Sequence, residues 1–299
     1  MTAQRLRILT WNILDGGKDG RLSAIIALSK QVRADVVALQ ECNGWQELDA
    51  LVLRRAEREL GMRAFPFWNR GGYPPVILTS VNGAYAIAHD DQDSFMQGYQ
   101  EVVLPLPDGR EWHFFNAHLA AFSEEARLHE VRIIARSMRK HRQGLCSLTG
   151  DLNALAPGEM YDGIRIHPRT SLSLKEHPAL RMKFNFAGLP GLQGFGSARN
   201  PNALLQLPFR RRRAVDKVEL RTDVYVHLKR QGWVDAFRHQ HPFDVAGYTW
   251  ESSHPEVRLD YAWLSPQLAR QLVRCEVLTG PRWIRASDHS PLLWEIAFT

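Results

Sequence analysis

Short apolar runs that stop abruptly at Asn, Glu, His or Asp recur along this 299-residue chain, and they restrict its fold more than any other feature. "RLRILTWN" closes on Asn12 and "ADVVALQE" on Glu41. The run through Phe115 closes on Asn116-Ala117-His118, and "GLCSLTGDLNA" on Asp151 and Asn153. Runs this short read as strands, and an unbroken one such as "ADVVALQE" reads as a strand buried on both faces. Nearer the C-terminus, "RLDYAWLS" alternates, with Leu259, Tyr261 and Trp263 on one face and Asp260 and Ala262 on the other. "ASDHSPLLWEI" sets Ser287, Asp288 and His289 in a polar turn ahead of Pro291 and another apolar strand.

Helical spacing appears between these strands. Leu22, Ile25, Ile26 and Ser29 mark a helix over Leu22–Val32, and Leu48, Leu51, Val52 and Leu60 face one side of a second over Gln46–Leu60. Glu124–His141 carries the clearest stripe, Leu128, Val131, Ile134, Ala135 and Met138. Thr222 stands where it can cap a helix running to about Arg230. "VILTSVNGAYAIAH" reads as a hairpin about Asn82-Gly83, and Pro107-Asp108-Gly109 as the turn between strands around Glu101–Leu104 and Glu111–Phe115. Strands outnumber helices and the two intermingle. The expected fold is therefore an α/β sandwich, two sheets packed face to face with helices outside.

No repeat or linker divides the chain, so a single domain over 1–299 is expected. A long loop-rich insertion should interrupt it at about 155–213, where six prolines and six glycines fall with little periodicity. Charge is concentrated in the same segment. The chain holds 38 Lys/Arg and 32 Asp/Glu; ten and three of them lie in 155–213, leaving 28 basic against 29 acidic elsewhere. The sharpest stretch, Arg210-Arg211-Arg212-Arg213, is either a polyanion-binding loop or a solvated basic one. Cys42, Cys146 and Cys275 are scattered, without metal-ligand spacing, and read as reduced core thiols. With no signal-peptide core and no transmembrane segment, a cytoplasmic protein is expected, and no obligate protein partner is evident.

Each polar strand end is unremarkable alone; an isolated Asp-His pair is more often a surface turn. Together Asn12, Glu41, His118, Asp151/Asn153, Asp260 and Asp288/His289 suggest one acidic cleft. An unpaired buried carboxylate is expensive, so Glu41 must reach solvent, a partner or a cation. Carboxylate and amide oxygens without thiols suit hard divalent ions, above all Mg²⁺ or Mn²⁺. A carboxylate beside a histidine fixes its tautomer and raises its basicity. Hard metal plus imidazole is the equipment for attack of water on phosphorus.

The stretches "TWNI", "ALQE", "NAHL", "GDLNA", "RLDYAWLS" and "SDHSPL", in that order, resemble the endonuclease/exonuclease/phosphatase superfamily, which shares the fold of deoxyribonuclease I and of the exonuclease III-type abasic endonucleases. "GWVDAFR…HP…YTW" is also similar to that family's run into its penultimate strand, and the likeness spans residues 7–296. It implies a four-layered sandwich of two mixed β-sheets flanked by helices. It implies roles as well. Glu41 would be the principal metal ligand, supported by Asn12 and Asp288. Asp151 would orient or deprotonate the attacking water, and Asn153 would bind a phosphate oxygen. His289, held by Asp260, would stabilise developing charge or shuttle a proton. His118 would bind the phosphate from the other side and assist the leaving oxygen, and Gln40 would support the shell.

Two departures bear on substrate. The abasic endonucleases carry an aspartate two positions after the first asparagine, where this chain has Leu14, with Asp15 one position further on. They also carry a tyrosine-containing Asn-x-Tyr-x-Pro-Asn run where "NAHL" stands here, the version of the deadenylase, phosphodiesterase, sphingomyelinase and inositol-phosphatase branches. The leading expectation is a Mg²⁺- or Mn²⁺-dependent nuclease or phosphodiesterase acting on DNA or RNA. The basic segment would contact phosphates, and Trp68 and Tyr73 beside Arg70 would either stack on bases or pack within their loop. The alternative is a phosphatase or phosphodiesterase for a small or lipid phosphoester. A degenerate, non-catalytic nucleic-acid binder would lack one of Glu41, Asp151, Asp260 or His289, and the chain keeps all four.

Overall fold

The alternation in the short strands sorts their side chains into three apolar layers held by two sheets. The structure, a computed structural model, describes residues 4–68, 73–121, 123–161, 164–166, 169–173, 217–244, 247–253 and 257–298. In chain order the strands are β1 (Gln4–Asn12), β2 (Val36–Gln40), β3 (Arg63–Pro66), β4 (Val76–Thr79), β5 (Tyr85–Ile87), β6 (Gly98–Pro105), β7 (Glu111–His118) and β8 (Leu145–Asp151). They continue with β9 (Met160–Tyr161), β10 (Ile164–Arg165), β11 (Arg169–Ser173), β12 (Lys217–Arg221), β13 (Val234–Asp235), β14 (Asp260–Leu264), β15 (Leu272–Val277) and β16 (Leu292–Phe298). One six-stranded sheet runs β15-β16-β1-β2-β4-β3 and the other β13-β14-β8-β7-β6-β5.

Each sheet is built around one parallel pair at its centre, β1–β2 and β7–β8. A parallel pair needs a crossover, and α1 (Leu22–Gln31) and α3 (Glu124–Arg139) supply the two. Ser123 starts α3 by accepting the Ala126 N–H at 3.2 Å. With α2 (Glu47–Leu60) and α4 (Asp223–Arg230), these helices cover the outer faces. Under α1 and α2 lie Leu9, Trp11, Ile25, Val37, Leu39, Leu53 and Ala56. Under α3 and α4 lie Phe115, Val131, Ile134, Leu148, Val224, Leu228 and Trp263. Between the sheets lie Ile8, Val36, Ala38, Val102, Phe114, Ala262 and Trp294. The expected four-layered sandwich is what the chain forms.

Several local expectations need correcting. Asn82-Gly83 is not the tip of a hairpin, because β4 and β5 belong to different sheets. β4 is buried throughout and bonded to β2 and β3 on its two edges, so β5 crosses over and pairs with β6 instead. The first turn of α2 takes left-handed backbone angles at Leu48, Asp49 and Ala50, which shifts its apolar face. Leu48 and Leu51 are consequently 81% and 54% exposed, while Leu53 and Ala56 face the sheet. Thr222 precedes α4 without a side-chain cap bond; Glu124 accepts the Val224 N–H at 3.2 Å instead. Within 155–213 the described part is less irregular than its composition implies, since β9 pairs with β10, and β11 pairs with β12 beyond the segment's end. Residues 174–213, including Arg210, Arg211, Arg212 and Arg213, lie outside the described residues, as does Arg70.

Candidate active site

On the strand faces turned toward the other sheet, apolar side chains give way to polar ones at one end of the sandwich. β1 reads Ile8, Thr10, Asn12; β2 reads Val36, Ala38, Gln40; β7 reads Phe114, Asn116, His118. β8 supplies Ser147, Thr149 and Asp151 at alternate positions, and β14 runs the other way, from Leu264 through Ala262 to Asp260. Register brings the ends together: Asn12 lies opposite Gln40, and Asp151 opposite both His118 and Asp260. The carboxyl ends of both parallel pairs therefore share one rim. A floor of buried polar side chains separates them from the apolar core. Gln40 donates to Thr10 Oγ1 at 3.2 Å and Asn116 Oδ1 at 2.8 Å, while Asn116 donates to the Leu39 carbonyl at 3.0 Å. These bonds occupy the Gln40 amide nitrogen and both ends of the Asn116 amide, and leave Gln40 Oε1 buried without a partner among the described residues.

Above this floor the side chains form one connected line. Asn12 Nδ2 donates to Glu41 Oε1 and to Asp151 Oδ2, both at 3.0 Å. Glu41 Oε2 accepts the Asp15 N–H at 3.0 Å. Asp151 Oδ2 is 3.5 Å from His118 Nε2 and 3.7 Å from His289 Nε2, and His289 Nδ1 pairs with Asp260 Oδ2 at 2.8 Å. Asp151 Oδ1 accepts the Asn153 N–H at 2.9 Å, and Asn153 Nδ2 donates to the Leu119 carbonyl at 3.0 Å. Asp288 is half-buried beside the line, its carboxylate accepting from Trp250 Nε1 at 3.3 Å and Ser287 Oγ at 3.4 Å. All eight residues singled out at strand ends thus converge on one rim.

Burial and neighbouring charge set unlike protonation preferences in this line. Burial alone would depress His289, but the carboxylates of Asp260 and then Asp151 outweigh it and raise its pKa to about 10. Burial dominates at Asp151 and raises its pKa, with His289 opposing and Asp260 reinforcing. Burial also dominates at His118, which is lowered despite Asp151 beside it, and its Nδ1 has no hydrogen-bond partner among the described residues.

Other residues hold the line in place without having announced themselves. Thr249 Oγ1 accepts the N–H groups of Leu259 and Asp260 at 3.0 and 3.1 Å. Ser287 Oγ donates to the Asn12 carbonyl at 2.7 Å and accepts the His289 N–H at 3.2 Å. Trp11 Nε1 donates to the His289 carbonyl at 2.8 Å. Arg21 reaches the carbonyls of Ile13, Leu14 and Ala286 at 2.7–3.0 Å, binding the first loop to the last. The in-strand alternation would have found Asn116; Thr249 carries no such signal. Asp15 contributes through its backbone, since its carboxylate bonds Lys18 and Asn43.

The sequence pattern of the Endonuclease/Exonuclease/phosphatase family matches residues 9–289. The chain belongs to that family. No curated protein matches the chain significantly in sequence. Among solved structures, this family member resembles the human Nocturnin catalytic domain, at TM-score 0.60 and 17% identity over 99% of this chain and 94% of that one. It also resembles the 3'-5' exonuclease NExo from Neisseria meningitidis, at TM-score 0.62 and 16% identity over 97% and 99%. The AP endonuclease LMAP from Leishmania major is similar at TM-score 0.63 and 17% identity over 99% and 89%. At such identities the likeness is one of fold. Among the described residues no helix is long and apolar enough to cross a membrane.

Proposed function

We propose that this family member is a Mg²⁺- or Mn²⁺-dependent phosphoester hydrolase that cleaves nucleic acid as a nuclease or phosphodiesterase. The observation that carries the reading is the unbroken line from Glu41 through Asn12 and Asp151 to His289 and Asp260. Glu41 suits a hard cation: its carboxylate is half-buried, oriented on each oxygen by a single donor, and set at the rim. The adjacent Cys42 is fully buried with its thiol pKa pushed far up by burial, so the donors are oxygens, with Asn12 and Asp288 completing the set. A divalent ion bound there would neutralise phosphate charge and polarise the phosphoryl oxygen.

The protein's own groups divide the remaining work. Asp151, fixed by Asn12 and the Asn153 N–H and pushed toward neutrality by burial, aligns water and takes its proton. His289, cationic at neutral pH, balances charge growing on phosphorus while Asp260 keeps its Nε2 aimed inward. His118, neutral after burial, and Asn153 hold phosphate oxygens from the β7 side. The exposed rings of Trp68 and Tyr73 offer faces for bases, and the +7 segment over 155–213 offers charge for phosphates. Neighbours named as an exonuclease, an AP endonuclease and a 3' phosphatase bound to a product DNA hairpin support nucleic acid as substrate.

The test is an assay with Mg²⁺, Mn²⁺ or EDTA against plasmid, single-stranded DNA, RNA and an aryl phosphodiester. Cleavage of nucleic acid that needs metal and falls at least about 100-fold in Asp151→Asn is expected. Turnover surviving in Asp151→Asn would overturn the site, and hydrolysis of small esters alone would overturn the nucleic-acid reading.

A further inference from the structure

Far from the rim, on the outer face of the second sheet, three imidazoles gather around one buried carboxylate. Glu101 and His113 occupy outward positions of β6 and β7, on the face shared with Tyr99 and Phe115. His113 precedes His118 by five positions and points to the opposite face, which separates the two places by roughly 17 Å of strand and the sheet's thickness. His141 lies in the turn between α3 and β8, after its N–H has closed on the Met138 carbonyl at 3.0 Å. His89 comes from the segment following β5.

The distances converge on Glu101. Its Oε1 is 2.7 Å from His113 Nδ1 and 3.8 Å from His141 Nε2, and its Oε2 is 2.8 Å from His89 Nε2. The rings of His113 and His141 stack at 3.4 Å between centroids and 14° between planes. Two imidazolium rings at that separation would repel, so at least one is neutral, the form that ligates metal.

We propose that Glu101, His113 and His141 form a second metal site, for Zn²⁺ or a borderline transition ion, distinct from the catalytic rim. Ligand atoms on a tetrahedral zinc sit about 3.3 Å apart, given metal–ligand bonds of about 2.0–2.1 Å. The observed 2.7 and 3.8 Å bracket that spacing; an ion also lies in the plane of each imidazole it joins, so the His141 ring, in its partly exposed turn, must rotate out of the stack with His113 to share it. Two imidazole nitrogens with one carboxylate and no thiolate suit Zn²⁺ rather than Mg²⁺. His89 steadies the far carboxylate oxygen, as outer partners do for metal-bound carboxylates. Access exists: the side chains of His113 and His141 are 17% and 26% exposed, and a water completes the coordination. An ion here would tie β6, β7 and the α3–β8 turn together.

The full chain carrying Glu41→Ala and Asp151→Asn, which removes the catalytic carboxylates, is dialysed against EDTA and titrated with Co²⁺. One equivalent should bind with the visible ligand-field bands of a low-coordinate ion, and Zn²⁺ should displace it. Adding His141→Ala, a change in a partly exposed turn, should weaken Co²⁺ binding at least about 100-fold, and His89→Gln about 10-fold. Circular dichroism confirms folding of each variant. Absence of stoichiometric Co²⁺ in the chain with His141 intact, or equal affinity with His141→Ala, would overturn the proposal.

Discussion

Replacing Asp260 with asparagine isolates the pair at the heart of the proposed chemistry. The substitution keeps the shape of the side chain and removes its charge, 2.8 Å from His289 Nδ1. The gap between the ordinary imidazole value of 6.5 and about 10 corresponds to about 5 kcal/mol favouring the cation. Asp260 leads the raising influences, ahead of Asp151, so removing its charge should lower the His289 pKa and weaken the preference for the cation. The amide also offers an N–H toward Nδ1, turning the ring to the wrong tautomer. kcat should fall about 10²–10⁴-fold, with KM little changed. Stability should respond with a definite sign. A histidine raised in the folded state adds stability that is complete below its unfolded value of 6.5 and lost as pH climbs through about 10. Wild-type protein in EDTA should therefore lose stability between those limits, and Asp260→Asn should flatten the decline. Urea melts across that range, with ring NMR titration of His289, measure both. An unchanged ring midpoint together with kcat within threefold of wild type would refute the account of Asp260.

Other perturbations follow from the same geometry. Gly150 has φ +129°, and a Cβ there would meet the Ala117 carbonyl oxygen at 2.0 Å, so Gly150→Ala should displace Asp151 and cost activity at least about tenfold along with stability, measured by kcat and thermal melts. Arg258 is buried and clamps Asp235 at 2.6 and 2.9 Å and Glu159 at 2.6 and 3.1 Å; Arg258→Ala should destabilise by about 3–5 kcal/mol in urea denaturation, because the buried Asp235 carboxylate loses this counter-charge and Glu159 is left with Arg238. Replacing Arg210–Arg213 with serine should weaken nucleic-acid binding and reduce its salt slope, read by fluorescence anisotropy from low to high salt; an unchanged slope assigns that run to solvent.

The layered architecture was legible because a strand buried on both faces leaves a long apolar run, and because polar ends on such strands are too costly to scatter at random. The same reasoning gathered Asn12, Glu41, His118, Asp151, Asn153, Asp260, Asp288 and His289 before any coordinates. Purely local signals were less informative. Asn82-Gly83 has the composition of a hairpin tip, yet which edges β4 has free is decided by β2 and β3, more than a dozen residues earlier. Leu48 and Leu51 looked like core until left-handed angles in the first turn of α2 rotated them outward. Glu101, His113 and His141 come from three separate elements at apolar-facing positions, and no spacing rule connects them. Thr249 steadies Asp260 through one hydroxyl, a contact that only the folded chain creates.

One consequence lies in how the rim is divided between the sheets. Asn12 and Glu41 ride on one sheet, Asp151, His118 and Asp260 on the other, and beneath the polar floor the two are held by the apolar layer of Ile8, Val102, Phe114, Trp294 and their neighbours. That layer acts as an alignment shim for the 3.0 Å reach from Asn12 to Asp151. A cavity cut into it lets one sheet slide against the other, and misregistration of an ångström is felt steeply in positioned chemistry. An equally large cavity beneath α1 or α3 leaves the two halves in register. Thinning the middle layer should slow the enzyme beyond what its lost stability accounts for; thinning the outer layers should merely make it melt sooner.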